Sequence, residues 1–559
     1  MMSPQKSLHH LKRYQEILLV MVKYGFDDIV EKIKIGLIFQ VTKGILPKTG
    51  KKKYSGLGTA PRLRMAFQEL GPTFIKLGQI LSLRPDLIPP EVATELSKLQ
   101  DAVPPVAFDL LKTKIEEEYR FPLSEVFAEF QEESIAAASM AQVHRAKLKT
   151  GEEVAVKILR PNIHNVIKTD IEILFNIAEL IEKYIPESRL YNLVGIVGEF
   201  AKTIRKEENL SFEGRNIDIF RRYFKDDKTM KLPLVYWPLT TEEILVMEFI
   251  DGVKISDDEG IERLKLDRKE LANNGARAML KEVFEYGIFH ADPHPGNIFV
   301  LPGNVIAPVD FGMVGRIDDE MREYLLDILE GIVRKDTYKI IQALLNVQVV
   351  DTQINKRQFN RDLLDFLDRY YGVPLNQLDS SKLVNEFMEL IRSYRIKLPA
   401  DLVMMGRALV ISEAVGRHLY PEFNYFDLLI PYVKKQLLLR MNPARHYREL
   451  ARSIDQISDI LKRLPEDIQS FLIKLKNNQI TIRFYHEGLD DLRKELDRSS
   501  NRISFSLIVA ALIIGSSLII NIDKGPHIFG YPILGIIGFV LASVLGLWLL
   551  IAILRSGKL

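Results

Sequence analysis

His290-Ala291-Asp292-Pro293-His294-Pro295-Gly296-Asn297 is the stretch on which the reading of this chain turns. Its prolines forbid a regular helix, so Asp292 and Asn297 share one loop and can aim at one point. Downstream, residues 298–309 read as a β-hairpin with Pro302, Gly303 and Asn304 at the turn, and the hairpin leads into Asp310-Phe311-Gly312. Upstream, Val154-Ala155-Val156-Lys157 puts a lysine on a predicted strand, after a loop of small residues, Ala136-Ala137-Ala138-Ser139. Singly, each element is weak: a lysine ending a strand is usually a solvated charge, and Asp-Phe-Gly arises by chance. In this order and these contexts they fit phosphoryl transfer, which asks for positioning and charge neutralisation more than covalent participation. Lys157 would hold the α- and β-phosphates of a nucleotide, and Asp292 would orient or deprotonate the acceptor. Asn297 and Asp310 would ligate Mg2+, a hard cation that prefers oxygen donors. His290 and His294 raise a zinc reading, but Pro293 and Pro295 leave their imidazoles no common helix face. His290 is read as a structural, hydrogen-bonding residue of the loop.

Around this core the pattern changes along the chain. Leu8, Leu11, Leu18, Val22, Phe26, Ile29, Ile33 and Leu37 recur at helical spacing with lysines between them, which suits a membrane-surface helix or one packed on the body. Lys48 to Lys53 is a basic linker, and residues 61–120 look helical. From about Val126 short β-rich runs appear: around Ser134, Gln142–Leu148 and Val154–Leu159, the last two joined by a turn at Lys149-Thr150-Gly151-Glu152. Helices follow to about Phe224, then strands at Val235–Trp237 and Ile244–Phe249, then a helix over 265–290. From Asp318 to about Leu496 the periodicity is helical, punctuated by Pro374, Pro399, Pro421 and Pro465. A small strand-bearing lobe followed by a larger helical one is an α+β arrangement.

The 559 residues carry 76 basic and 74 acidic side chains, a formal charge of +2, with 47% hydrophobic and 27% charged residues. That is the composition of a folded chain with several cores. The near-neutral balance argues against a nucleic-acid partner, which calls for a broad cationic face. With no cysteine, disulfides, thiolate catalysis and cysteine-held metals are excluded. Met1 to His10 shows no cleavable signal peptide.

Residues 503–522 and 531–554 are two uncharged, mostly apolar stretches around Asp523-Lys524-Gly525-Pro526, each long enough to cross about 30 Å of hydrocarbon as a helix. Buried core helices are the competing reading, which two adjacent full-length spans disfavour. Arg493, Lys494, Arg498 and Arg502 before the hairpin, with Arg555 and Lys558 after it, keep both ends cytoplasmic. Ala511 with Gly515, and Ala542 with Gly546, are small residues at the spacing that lets helices approach.

Joined to Leu70-Gly71-Pro72-Thr73-Phe74-Ile75-Lys76-Leu77-Gly78-Gln79, the kinase-like set resembles the UbiB/ABC1/ADCK/COQ8 family of atypical kinases. Leu83 to Leu87, Ala136 to Ala146, Glu213 to Asn216 and Met247 to Gly252 match as well, so the resemblance covers about residues 10–440, with a hairpin like that of bacterial members. It implies a protein-kinase-like two-lobe fold, ATP or ADP with Mg2+ as cofactors, and a role in ubiquinone or other isoprenoid-quinone biosynthesis. The implied division is 1–60 N-terminal segment, 61–120 helical extension, 121–250 small lobe, 251–440 large lobe, 441–500 linker and 501–559 membrane hairpin. Residue by residue, Lys76 and Gln79 match the Lys-x-Gly-Gln run of an extension that covers the active site. Ala136, Ala137, Ala138 and Ser139 stand where protein kinases carry a glycine-rich loop; alanine restricts the backbone freedom that glycine gives there. Glu213 matches the partner of Lys157, and Met247, Glu248 and Phe249 match an adenine-binding hinge. Asp292, Lys157 and Lys76 form the implied catalytic set. One departure stands out: the family's Glu-x-Asp falls at Glu207-Glu208-Asn209, so the tie to Lys76 is weakened or Glu207 alone serves. No Ala-Pro-Glu run follows Gly312, which disfavours a protein acceptor. The implied partners are membrane lipids and quinone precursors or their biosynthetic enzymes; a homodimer is left open. The implied location is the inner membrane, with the kinase-like part cytoplasmic. The alternatives are a nucleotide-sensing scaffold and a small-molecule kinase of the aminoglycoside or choline type. A transporter is disfavoured, because the two apolar spans carry no intramembrane charge.

Overall fold

The computed structural model describes residues 4–32, 56–82, 88–99, 104–185, 188, 192–334, 336–346, 355–370, 380–394, 396, 398–440, 489–521, 526–528 and 531–555. Lys48–Lys53, the Leu83–Leu87 run, Pro374 and Pro465 lie outside them, as does most of the 441–500 linker. The chain divides into two compact units, residues 1–443 and 444–559.

In the first unit, strands β1 (Phe127–Phe130), β2 (Ala136–Ala137), β3 (Ala141–Leu148), β4 (Glu153–Leu159) and β5 (Ile244–Glu248) form an antiparallel sheet. Its order is β1-β3-β4-β5, with β2 beside β3. The β3–β4 turn works because Gly151 takes φ +105°, a left-handed conformation open to glycine. Strand alternation then sorts side chains between two cores. Val154, Val156 and Ile158 join Leu111, Ile115, Phe127 and Val246 in a small outer core. Ala155 and Leu159 face the main core.

That main core is helical. It gathers α1 (Pro4–Lys23), α2 (Thr59–Leu70) and α3 (Pro72–Ser82). Helix α4 (Phe108–Tyr119) packs instead on the outer face of the sheet. Then come α5 (Ile163–Tyr184), α6 (Leu193–Glu207) and α7 (Leu210–Tyr223). Helix α1 is fixed to the body through the Arg13 guanidinium, which donates to both carboxylate oxygens of the buried Asp170 on α5 (2.8 and 3.0 Å) and to Leu70 O at 2.7 Å.

After β6 (Val253–Lys254) comes α8 (Arg268–Lys281), where the expected helix over 265–290 needs correction. It passes into a π-turn at Glu282–Tyr286 and stops at Gly287, whose φ of +65° terminates it; Ile288–His290 is strand β7. Strands β8 (Ile298–Leu301) and β9 (Val305–Pro308) form the expected hairpin, and β10 (Val314–Arg316) pairs with β7. Val235 makes only an isolated bridge to Met247, and Trp237–Leu239 is a 3-10 turn, because Pro238 has no N–H to give a ladder. The expected helical block over 91–120 is two helices, Pro90–Leu96 and α4. The unit closes with helices that include α9 (Ala400–Leu419) and α10 (Tyr425–Arg440).

In the second unit, α11 (Leu489–Ile520) and α12 (Ile533–Arg555) pack side by side. They contain apolar spans at Ser499–Ile520 and Ile533–Ile551, each long enough to cross a membrane. The tight approach is not at Gly515, where an added Cβ would meet nothing within 4 Å, but at Gly535 and Gly538, where it would collide with Ile520 and Ser516. The close packing follows Ser516, a small polar residue buried against Gly535 and Gly538, which a spacing of small residues does not reveal.

Candidate functional site

Strand parity turns Lys157 away from the outer core and toward α7. Its ammonium lies 2.7 and 2.8 Å from the two carboxylate oxygens of Glu213 and 3.7 Å from Asp310. Glu213, buried in the first turn of α7, also accepts the Phe311 N–H at 3.4 Å. Asn216, nearly one turn on, donates to Phe311 O at 3.0 Å. Helix α7 therefore grips Asp310-Phe311-Gly312 with two side chains, and the fully buried Phe311 ring packs on Phe220 and His290.

Charges here settle one another. Burial pushes the Lys157 ammonium down, but Asp310 and Glu213 outweigh it and hold Lys157 above the usual lysine range. Burial pushes Glu213 up and Asp310 adds to that; Lys157 and the Phe311 N–H pull back without cancelling it. At Asp310, burial acts upward, yet Lys157, the Gly312 N–H, His290 and Lys76 bring the carboxyl down to about 2. Asp310 is thus an anion at neutral pH.

The loop after β7 is shaped by its histidines. The Asp292 N–H donates to His290 Nδ1 (3.2 Å) and the Gly296 N–H to His294 Nδ1 (3.1 Å). His294 N donates to Asp292 O at 2.7 Å and Asn297 N to His294 O at 2.9 Å. Each Nδ1 is spent as an acceptor for its own loop, and burial holds the His290 imidazole below its ordinary range. Among the described residues no cluster of three or more His, Asp or Glu could hold a metal. The Asn297 amide donates to Asp310 Oδ2 at 3.4 Å, so the two expected Mg2+ ligands stand side by side.

These residues open on one cavity of about 330 Å³. It brings together Lys76, Ala138, Ser139, Lys157, Glu213, Asp292, Asn297 and Asp310. Its lining leaves out Ala136 and Ala137, which pair with Val143 and Gln142 in the sheet. It also leaves out Met247, Glu248 and Phe249 at the end of β5: Met247 is buried, Glu248 pairs with Lys231 at 2.7 Å, and Arg145 lies over the Phe249 ring. The alanine loop closes as a tight turn, Ala138 N to Ala141 O at 2.8 Å, held by the Arg160 guanidinium on Ala138 O at 2.9 Å.

Lys76 enters from α3 and meets Glu207, the last residue of α6, at 2.8 Å. Asn209 does something else: its Oδ1 accepts from Ser211 N (3.0 Å) and Ser211 Oγ (2.6 Å), capping α7. Two further groups escaped the sequence reading. Glu282, in the π-turn, is buried and accepts the His290 N–H at 3.0 Å; burial pushes it up to about 8, against that hydrogen bond. Arg407 of α9 donates to Ser82 Oγ at 2.8 Å. A lone cation in the run Val403-Met404-Met405-Gly406-Arg407-Ala408-Leu409-Val410 was the available signal.

Comparison with known proteins follows the same lines. Residues 98–344 match the ABC1 atypical kinase-like domain, 363–424 the UbiB helical domain, and 487–555 the ABC1/UbiB kinase-like C-terminal domain. An uncharacterized protein from the hydrogenase 1 5′ region of Clostridium pasteurianum is 33% identical over 547 residues, covering 98% of this chain and 99% of that one. A probable protein kinase UbiB of Pseudomonas paraeruginosa is 34% identical, over 81% of this chain and 88% of its own. A solved complex of Rv3197 with erythromycin from Mycobacterium tuberculosis aligns over 68% of this chain and 94% of that one, at TM-score 0.44 and 22% identity.

Proposed function

This chain belongs to the UbiB/ABC1 family of atypical kinase-like proteins, and from that premise we propose that its cavity takes ATP with Mg2+ and either hydrolyses it or passes a phosphoryl group to a small acceptor. One observation carries the reading: Lys157 stands 2.7 Å from Glu213 and 3.7 Å from Asp310, with Asp292 and Asn297 on the same cavity wall. Lys157, paired and charged, holds phosphate oxygens. Asp310, an anion beside the Asn297 amide, offers the hard oxygen donors that Mg2+ selects. When bound, that ion neutralises charge on the phosphates. Asp292, its backbone fixed by His290 and His294, orients the acceptor hydroxyl or a water. Helix α7 binds all this to Asp310-Phe311-Gly312 through Glu213 and Asn216.

A small acceptor or water suits the site better than a protein. Gly312 runs within two residues into β10, which pairs with β7, and the next helix begins at Asp319. That leaves no activation segment on which a protein substrate would dock. The extension adds a wall through Lys76 and Glu207. The apolar helices at 499–551 would anchor the protein in the cytoplasmic membrane, with the basic residues flanking them holding the kinase-like part on the cytoplasmic side. The proposed service to isoprenoid-quinone biosynthesis rests on the resemblance of the Lys76–Gln79 and Glu213–Asn216 runs. The test is Mg·ATP turnover by the full chain in lipid vesicles, with and without quinone precursors. Asp310→Asn should lose turnover by about 100-fold or more, the scale of losing an electrostatic contact to the reacting centre. Equal turnover in both proteins overturns the enzymatic reading and leaves the nucleotide-sensing scaffold.

A further inference from the structure

We propose that the outer face of α7 borders a second ligand site, for a soluble polyanion carrying a diphosphate or longer phosphate chain, and that its occupancy acts on Asp310. Helix α7 has two working faces. Glu213, Asn216 and Phe220 lie on one side and hold Asp310-Phe311-Gly312. Arg215, Asp218 and Arg222 lie on the opposite side at helical spacing. That side borders a cavity of about 760 Å³, a size common among small-molecule sites. Its lining shares no residue with the cavity around Lys157.

Arg215, Arg221, Arg222, Lys225 and Lys231 line this second cavity against one carboxylate, Asp218. Asp218 accepts the Trp237 indole N–H at 2.7 Å, and Lys231 pairs with Glu248 at 2.7 Å. Arg215 donates to Ser211 Oγ at 2.9 Å and Arg222 Nε to Asp218 O at 3.4 Å, both neutral acceptors. Among the described residues, no ion pair engages Arg215, Arg221, Arg222 or Lys225. Beneath them Phe224, Met230 and Leu232 are buried in the main core, which fixes the floor. A cleft lined by one sign of charge concentrates counter-ions. Guanidinium forks match phosphate oxygens two at a time, and each terminal phosphate brings about 1.5 to 2 negative charges with three acceptor oxygens. A single carboxylate would leave most of these donors unused. The cations line a cavity, which a solute enters and the flat face of a bilayer does not.

Both walls of the cavity lead to Asp310. One is α7 itself. The other is the segment at Met230–Leu232: Lys231 N donates to Ile306 O and Ile306 N to Thr229 O, each at 2.9 Å. Ile306 lies on β9, the strand that runs into Asp310. A polyanion drawing Arg221, Arg222 and Lys225 toward Lys231 would therefore firm both supports of the Asp310 motif at once.

The experiment uses the full chain in phosphatidylcholine vesicles at low ionic strength, with inorganic pyrophosphate as the probe. It compares wild type with R221Q/R222Q/K225Q and with K112Q/K149Q/K202Q, which removes three exposed cations elsewhere. Pyrophosphate should slow amide exchange over residues 221–232 in wild type. R221Q/R222Q/K225Q should need about tenfold more pyrophosphate for the same protection, the sum of three modest charge contacts. K112Q/K149Q/K202Q should stay within about twofold of wild type. Absence of protection, or equal protection in all three proteins, overturns the site. Protection by phosphatidylglycerol vesicles in place of pyrophosphate gives these cations to a bilayer and also overturns it. The link to Asp310 rests on the enzymatic reading and is tested at saturating Mg·ATP. There pyrophosphate should raise kcat by about threefold or more in wild type and leave R221Q/R222Q/K225Q unmoved. The same response in both, or none in either, overturns the link. If wild type turns over no faster than Asp310→Asn, the enzymatic reading fails on its own, and the exchange measurement still decides the site.

Discussion

Two lysine–glutamate pairs border the same cavity at nearly equal distances, Lys157–Glu213 at 2.7 Å and Lys76–Glu207 at 2.8 Å, yet they are set differently in the fold. Lys157 comes from the middle of a sheet and Glu213 from a helix that also grips Asp310-Phe311-Gly312, so that pair is one joint of a network. Lys76 and Glu207 join two helices, one of them in the extension. Cutting the first pair removes a phosphate-facing charge and leaves a buried carboxyl. Cutting the second frees a wall of the cavity while the chemical groups stay where they are. A third buried glutamate, Glu282, is pushed up to about 8 by burial with only the His290 N–H acting against it, whereas at Glu213 the Lys157 charge pulls back against the same burial.

The largest effect is expected from Lys157→Met. Turnover should fall by about 100-fold, and unfolding should cost roughly 3 kcal/mol less, because one partner of a buried pair is left uncompensated. Steady-state kinetics and chemical denaturation check the two parts. Lys76→Met should behave otherwise. Stability should fall less, and turnover or nucleotide preference should change by about threefold or more as the extension loosens, within the usual span of coupling between sites. If Lys76→Met cost as much turnover as Lys157→Met, the two pairs would share one duty and the contrast would collapse.

Glu282 sharpens the contrast through pH. Its folded-state carboxyl titrates near 8, whereas an unfolded glutamate titrates near 4.5. Between those values the folded protein keeps a proton that the unfolded chain has lost. Stability therefore falls as pH rises through about 4.5 to 8 and levels off above. Glu282→Gln keeps an acceptor for the His290 N–H and removes the titration. Its thermal midpoint should match wild type near pH 5 and exceed it near pH 8. A parallel pH dependence of the two proteins would show that Glu282 is ionised in the fold.

Much of the site was legible because it follows short-range rules. Strand parity aims Lys157, two prolines make the Asp292–Asn297 segment a loop, and a Pro-Gly-Asn turn sets the hairpin that delivers Asp310. The end of α8 was not legible, since the pattern over 265–290 is helical and only the positive φ of Gly287 shows where it stops. Arg407 stayed hidden because its partner, Ser82, comes from a distant part of the chain that meets it only in the folded body. The side-by-side setting of Asn297 and Asp310 could be guessed; the tie from α7 to Phe311 could not, because the Asn216 amide bonds a backbone carbonyl and leaves no pattern in the sequence.

The smallest effect belongs to Asn209→Asp, and it bears directly on how the second pair is built. Asn209 caps α7 through its Oδ1, and aspartate caps a helix about as well as asparagine. The substitution therefore leaves α7 and Glu213 in place and adds one negative charge at a residue that shares the cavity lining with Lys76. A carboxylate in the first turn of a helix is also favoured by the helix dipole, by about 0.3–1 kcal/mol. The thermal midpoint should accordingly stay the same or rise by about 2 °C. If the extension is held by charge, turnover should fall about twofold as Lys76 gains a second anion nearby, in keeping with the small worth of a partly exposed ion pair. Combining Asn209→Asp with Lys76→Met should abolish that fall, since the added carboxylate then has no Lys76 ammonium through which to hold the extension. Should the fall persist in the double variant, the charge at 209 acts on the nucleotide's phosphates directly, and the Lys76–Glu207 pair is complete without it.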